Sequence, residues 1–312
     1  MFFEDFRVGM RFTAGPRRVS TDDIGAYARL SGDDHPLHVD PGHAATTSFG
    51  SVIAHGGLGS AVAAGLWVRT GAVADSVVAA LGESWTWHAP IRPDASLTLT
   101  SVIVRLAASS GGSSGVLTRH NELTDADGTV VQSGTSEVLV RAKETAQDDP
   151  RTAVGTLEWG RRLAEVLGRD DAFQASVAEW DGTLGLRSGG SEVHLRLYRG
   201  RVIEATRRAP HGPTFTFGAP ARTWVDLLLD DDPHFGVRLM RGDFQVSGDP
   251  YEYLRLTKAL SLVVDGARTL AAGALSDTHH RTTLDADTTG DVSTDHSHPR
   301  AVAGGATNGA SA

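Results

Sequence analysis

The 312-residue chain has no cysteine, and lysine occurs only at Lys143 and Lys258. Without thiols, disulfides, thiolate metal sites and cysteine nucleophiles are excluded together. No stretch approaches the roughly 20 consecutive apolar residues of a membrane-spanning helix. The start, Met-Phe-Phe-Glu-Asp-Phe-Arg, carries acids where a secretory signal has a basic end followed by an apolar run. The cytoplasm is the expected location, and the closing Gly-Ala-Ser-Ala is no peroxisomal address. Positive charge is scarce as well: 29 basic residues against 38 acidic give a formal net charge of −9. That balance argues against nucleic acid or an anionic membrane as the main partner, since both need a cationic face. What remains, 40% hydrophobic and 21% charged, is a globular composition. At about 100–200 residues per domain, the length has room for two cores.

The pattern breaks twice. Residues 144–154, opening with the polar run Glu-Thr-Ala-Gln-Asp-Asp-Pro, read as a linker between domains at 1–143 and 155–274. Residues 275–312 hold few large apolar side chains and are expected to form a disordered tail, because they bury too little surface to offset ordering entropy. In the first domain, Ser20 followed by acids starts a short helix, and Asp40-Pro41 reads as an N-cap with proline in the first turn of another. Gly56 to Thr70 has no polar face and many small residues, which predicts a helix buried on all sides with close backbone approach. Extended segments near 77–88, 96–108, 115–123 and 129–141 follow, with Asp125-Ala126-Asp127-Gly128 as a hairpin turn. One apolar helix followed by antiparallel strands predicts an α+β fold of hotdog type, a sheet curled around that helix.

The second domain is predicted as an α+β layer. Trp159, Leu163, Val166 and Leu167 share one helix face, Val193, Leu195 and Leu197 alternate along a strand, and Arg222–Leu229 is helical. Residues 237–249 read as a further strand. Asp249-Pro250-Tyr251-Glu252 then starts a well-capped helix with an apolar stripe.

Chemistry concentrates in Gly32-Asp33-Asp34-His35-Pro36-Leu37-His38-Val39-Asp40, followed by Phe49-Gly50-Ser51-Val52-Ile53-Ala54-His55-Gly56. A carboxylate and an imidazole five residues apart in a loop can share one water and act as an acid/base pair at neutral pH. A glycine at the start of an apolar helix offers unpaired N–H groups and a positive dipole end to a carbonyl oxygen gaining charge. Asp34 and Asp40 are assigned to structure, and His55 to hydrogen bonding beside that helix end. Gly57-Leu58-Gly59 lacks the third glycine of a dinucleotide loop.

This string resembles the signature of MaoC-like (R)-specific enoyl-CoA hydratases and 3-hydroxyacyl dehydratases over about residues 3–143. His35 stands where that family has asparagine, and Gly57 where methionine is usual. The resemblance implies a hydro-lyase without metal or redox cofactor, reversibly hydrating a trans-2-enoyl-CoA to the (R)-3-hydroxyacyl-CoA in fatty-acid or steroid side-chain metabolism. It implies Asp33 and His38 as the catalytic pair, Gly56 N–H as the oxyanion donor, and a homodimer or a heteromer with another hotdog chain. Which of the pair supplies the α-proton stays open. The second domain resembles sterol-carrier-like domains over about 155–272, which implies a lipid or sterol ligand. Two other functions remain in view: a lipid or steroid-acyl carrier with an inert hotdog domain, and an acyl-CoA thioesterase.

Overall fold

A computed structural model describes residues 1–231 and 233–287, the side chains as far as residue 274. The chain enters through β1 (Arg11–Arg18) and turns into α1 (Thr21–Ser31). There the Ser20 hydroxyl accepts the Asp23 N–H at 3.1 Å, while the Asp23 carboxylate accepts the Ser20 N–H at 2.8 Å. This capping box satisfies two donors that a helix start leaves free. Two single-turn helices follow, α2 (Pro36–Val39) and α3 (Pro41–Ala45), each with proline in its first turn. Asp40 caps α3 by accepting from Gly42 and His43 N–H, the structural role the sequence assigns it. The longer α4 (Gly56–Arg69) precedes four strands, β2 (Val77–Trp87), β3 (Ser96–Ala108), β4 (Ser114–Thr124) and β5 (Val130–Arg141).

These strands and β1 form one antiparallel sheet in the order β1-β3-β4-β5-β2. Period-two alternation gives the sheet two faces. Leu97, Leu99 and Ile103 of β3 and Leu117 and Leu123 of β4 point to a core shared with Leu58, Ala63, Leu66 and Trp67 of α4. The sheet thus curls around α4 in hotdog fashion. Burial of α4 is one-sided: Leu66 is 1% exposed and Val68 70%. One sheet covers one side of a helix, so the all-round burial expected from its composition is not reached within a single chain.

After residue 143 the backbone runs through α5 (Leu157–Leu167), α6 (Asp171–Ser176), β6 (Asp181–Ser188), β7 (Ser191–Tyr198), β8 (Arg201–Thr206), β9 (Phe215–Ala219) and α7 (Ala221–Leu229). It continues through α8 (Phe235–Arg241), β10 (Gln245–Gly248), α9 (Pro250–Arg255) and α10 (Thr257–Asp287). The second sheet has the order β10-β9-β6-β7-β8, with β6 and β9 parallel and the other pairs antiparallel. Helices α5, α7 and α10 fill its core with Trp159, Leu163, Trp224, Leu260 and Val263. Phe217 stacks on Phe244 at 4.5 Å, and Trp224 meets both edge-on.

The strand expected over 237–249 is corrected: only 245–248 is extended, and 235–241 is helical. Val237 is 39% and Met240 82% exposed, while Phe235 and Leu239, four residues apart, pack on the core, so burial follows a helical period and not a strand's alternation. Gly242, at φ +79°, closes the helix in the left-handed conformation glycine permits. The tail expected from residue 275 begins within α10, and its remainder, 288–312, lies outside the described residues.

Residues Met1–Ala274 form one compact unit. Val225 of α7 packs with Val8, Val102 and Val104 on the sheet face turned away from α4. In the connecting segment, Ala146 belongs to the first core and Val154 to the second, and Arg151 donates to the Gly273 carbonyl at 2.9 Å. No helix among the described residues is long and apolar enough to cross a membrane.

Candidate active site

Helix α1 ends at Gly32, whose φ of +76° turns the chain out of the helix and sets Asp33 in the following loop. The Asp33 carboxylate is 56% exposed. His38 sits in α2, where its Nδ1 meets the Ile53 carbonyl at 2.7 Å. A carbonyl only accepts, so Nδ1 carries the proton and neutral His38 presents a bare Nε2. The preceding imidazole, His35, is exposed, and its Nδ1 accepts the Leu37 N–H at 3.2 Å, so this ring caps α2.

His55, 3% exposed, lies immediately before α4. Its Nε2 donates to the Asp33 carbonyl at 2.8 Å and stands 4.0 Å from the Asp33 carboxylate. Its ring stacks on His38 with centroids 3.9 Å apart. The loop that delivers His55 is held by Arg92, which donates to Phe49 O and Ser51 Oγ, and by the Ala54 N–H bond to Ile91 O. The structure therefore brings Asp33, His38 and the Gly56 end of α4 together, with His55 between them.

Asp33, His38 and His55 each offer a donor atom within 4.8 Å of the others, the spacing of a metal-ligand set. Their orientation does not fit one ion. The two imidazoles are stacked at an interplanar angle of 29°, and the in-plane lone pairs of near-parallel rings do not converge on a point about 2 Å from both. The arrangement suits a small molecule held between a carboxylate and an imidazole.

Among the described residues no acceptor meets the Gly56 or Gly57 N–H, and these are the orphan donors of a helix start. Three glycines let three other elements reach the first turn. A Cβ on Gly56 would strike the Trp87 indole at 2.5 Å, one on Gly57 would overlap the Tyr27 hydroxyl, and one on Gly59 the Gln132 amide. Gln132, 2% exposed, donates its Nε2 to Gly56 O at 3.0 Å. Tyr27, Trp87 and Gln132 are side chains that sequence reasoning missed. The only signal was the run Gly-Gly-Leu-Gly, whose missing Cβ atoms call for close neighbours. Beneath the second sheet, a cavity of only about 10 Å³ lies among Phe173, Trp180, Phe215 and Leu260. That is below the roughly 300–1,000 Å³ of pockets that hold drug-sized ligands.

Residues 5–126 match the model of the MaoC like domain, so the N-terminal part of the chain is a MaoC-like domain of hotdog fold. Among curated proteins, the chain is similar to a 3-hydroxybutyryl-CoA dehydratase of Methylorubrum extorquens, 33% identical over 96 residues, 30% of this chain and 57% of that protein. It is also similar to an (R)-specific enoyl-CoA hydratase of Aeromonas caviae, 44% identical over 50 residues, 16% of this chain and 37% of that protein. The matched stretches thus span little more than half of the first relative and about a third of the second. A MaoC-like dehydratase of Rhodospirillum rubrum is a similar solved structure at 28% identity and TM-score 0.43, covering 46% of this chain and 98% of that one.

Proposed function

We propose that the chain adds water reversibly across the double bond of a trans-2-enoyl-CoA, giving the (R)-3-hydroxyacyl-CoA. The observation that carries this reading is the Asp33 carboxylate and the fixed His38 tautomer beside the free amides of α4. The names of the two curated relatives, a dehydratase and a hydratase, support it. In this scheme a water lies between the Asp33 carboxylate and His38 Nε2. It loses a proton to the pair as its oxygen bonds to C3. The C2=C3 electron pair shifts toward the thioester carbonyl, and the enolate oxygen takes the Gly56 N–H, where preorganised donors are most effective. The pair returns one proton to C2, so H and OH have been added and the side chains end as they began.

Removing one positioned acid or base typically costs about 10²–10⁴-fold. Asp33→Asn and His38→Ala are each expected to lower kcat on crotonyl-CoA by about that factor with the melting temperature unchanged. Wild-type kcat in both variants would sink the assignment. Release of free CoA in place of the hydrated thioester would identify a thioesterase instead.

A further inference from the structure

We propose that the Tyr27 hydroxyl is a second donor to the thioester oxygen in this reaction, acting beside the Gly56 N–H. The inference rests on the hydratase reading above and extends it to a residue outside the Asp33–His38 string.

Tyr27 lies on α1, one turn before the helix ends, and its ring meets that of His55 with centroids 5.0 Å apart. His55 in turn stacks on His38, so the phenol is one ring removed from the proposed base. Its tip lies against the backbone of Gly57, the second residue of α4. A Cβ at that position would overlap the hydroxyl and come within 3.2 Å of Cζ. Gly57 is not required by its backbone: it sits in a regular helix, where glycine is about 1 kcal/mol worse than alanine. The cost is explained if the absent Cβ keeps room for the hydroxyl.

No protein group accepts from or donates to that hydroxyl among the described residues, although Tyr27 is half-buried. The hydroxyl is not among the fully buried atoms that lack a partner, so it is open to the site and available to a substrate. Here the unused O–H stands at the helix end whose own amides are also unused. Donors from two elements, α1 and α4, therefore border one place, and what they share is a need for an acceptor. The thioester oxygen that becomes an enolate supplies one, and its gain of charge in the transition state makes each donor worth more there than in the bound substrate.

The test uses the full chain with crotonyl-CoA as probe. Tyr27→Phe removes one oxygen and keeps the ring against His55. It is expected to lower kcat by about 100-fold, the lower end for a lost oxyanion donor, with KM changed less than about twofold and the melting temperature unchanged. Gly57→Ala is expected to displace the phenol and lower kcat similarly. In the Tyr27→Phe background, where the hydroxyl is gone, Gly57→Ala should cost little more. A merely packing role would move the melting temperature and leave kcat alone. An active wild type with unimpaired kcat in Tyr27→Phe overturns the Tyr27 assignment by itself. A wild type that hydrates no enoyl-CoA overturns the hydratase reading and this inference together.

Discussion

Arg119 lies on the α4 side of β4, 8% exposed, with its guanidinium carbon 3.9 Å above the Trp67 ring. Its Nε and Nη1 are buried without a hydrogen-bond partner. Burial pulls its pKa down from the ordinary arginine range to about 10, against the attraction of Glu83. A base whose pKa falls on folding destabilises the fold wherever it is charged, so the cost holds at neutral pH and fades only as pH rises through about 10. Cation–π attraction offsets part of this, about 0.5–2 kcal/mol. Arg119→Met keeps the stem and removes the charge, so calorimetry should find the melting temperature equal or higher. A fall of several degrees would mean that the stack on Trp67 outweighs burial. The same scale shows what was legible at the site. Asp33, His38 and Gly56 lie in one string whose spacing can be read. Tyr27, Trp87 and Gln132 arrive singly from α1, β2 and β5, and no spacing joins them; only the glycines facing them left a trace.

At the level of elements, α1 depends on its first turn. Asp23 is held below the ordinary carboxylate range first by the Ser20 N–H, with further help from the Ser20 hydroxyl and Arg17 against some burial. Such a carboxylate contributes stability above its unfolded pKa, near 4, that is lost as pH falls through the folded value. Asp23→Asn should therefore lower stability at pH 7 by an amount near the low end of about 0.5–2 kcal/mol for a lost cap. Melting curves of the two proteins should draw together as the pH falls below about 4, the unfolded value, and on through the lower folded one; a gap that stays constant over that fall would contradict this origin.

The long strands were readable because hydrophobic alternation and the Asp125–Gly128 turn agree with their packing. Strand β1 was not, since Gly15-Pro16 interrupts its pattern and shifts its register against β3. Helix α8 was misread because Val237 and Leu239 mimic the alternation of a strand, whereas Phe235 and Leu239, one helical turn apart, are the side chains that pack on the core. The two edges of the first sheet also differ in kind. Pro16 removes a donor from β1, and Arg11, Arg17 and Arg18 charge it, both common ways to blunt an edge. β2 instead exposes Val77, Val78, Leu81 and Trp87 at 49–62%.

For the whole molecule, an unpaired apolar edge calls for a partner strand, and we propose that a second copy supplies it. Sedimentation at micromolar concentration should give twice the 32.9 kDa chain mass. Leu81→Lys, at a position 52% exposed and outside the core, should shift the protein toward monomer without lowering its melting temperature. A wild type that sediments as a single chain would refute the pairing.

Helix α7 gives that pairing a limit. It occupies the back of β3 through Val225, so the sheet cannot also stack back to back with another. With β1 blunted and the back covered, the first sheet keeps one open edge among the described residues, β2. Once two copies have joined there, neither first sheet has an open edge left to offer a third. The assembly is self-terminating, and raising the concentration should complete pairs without lengthening them.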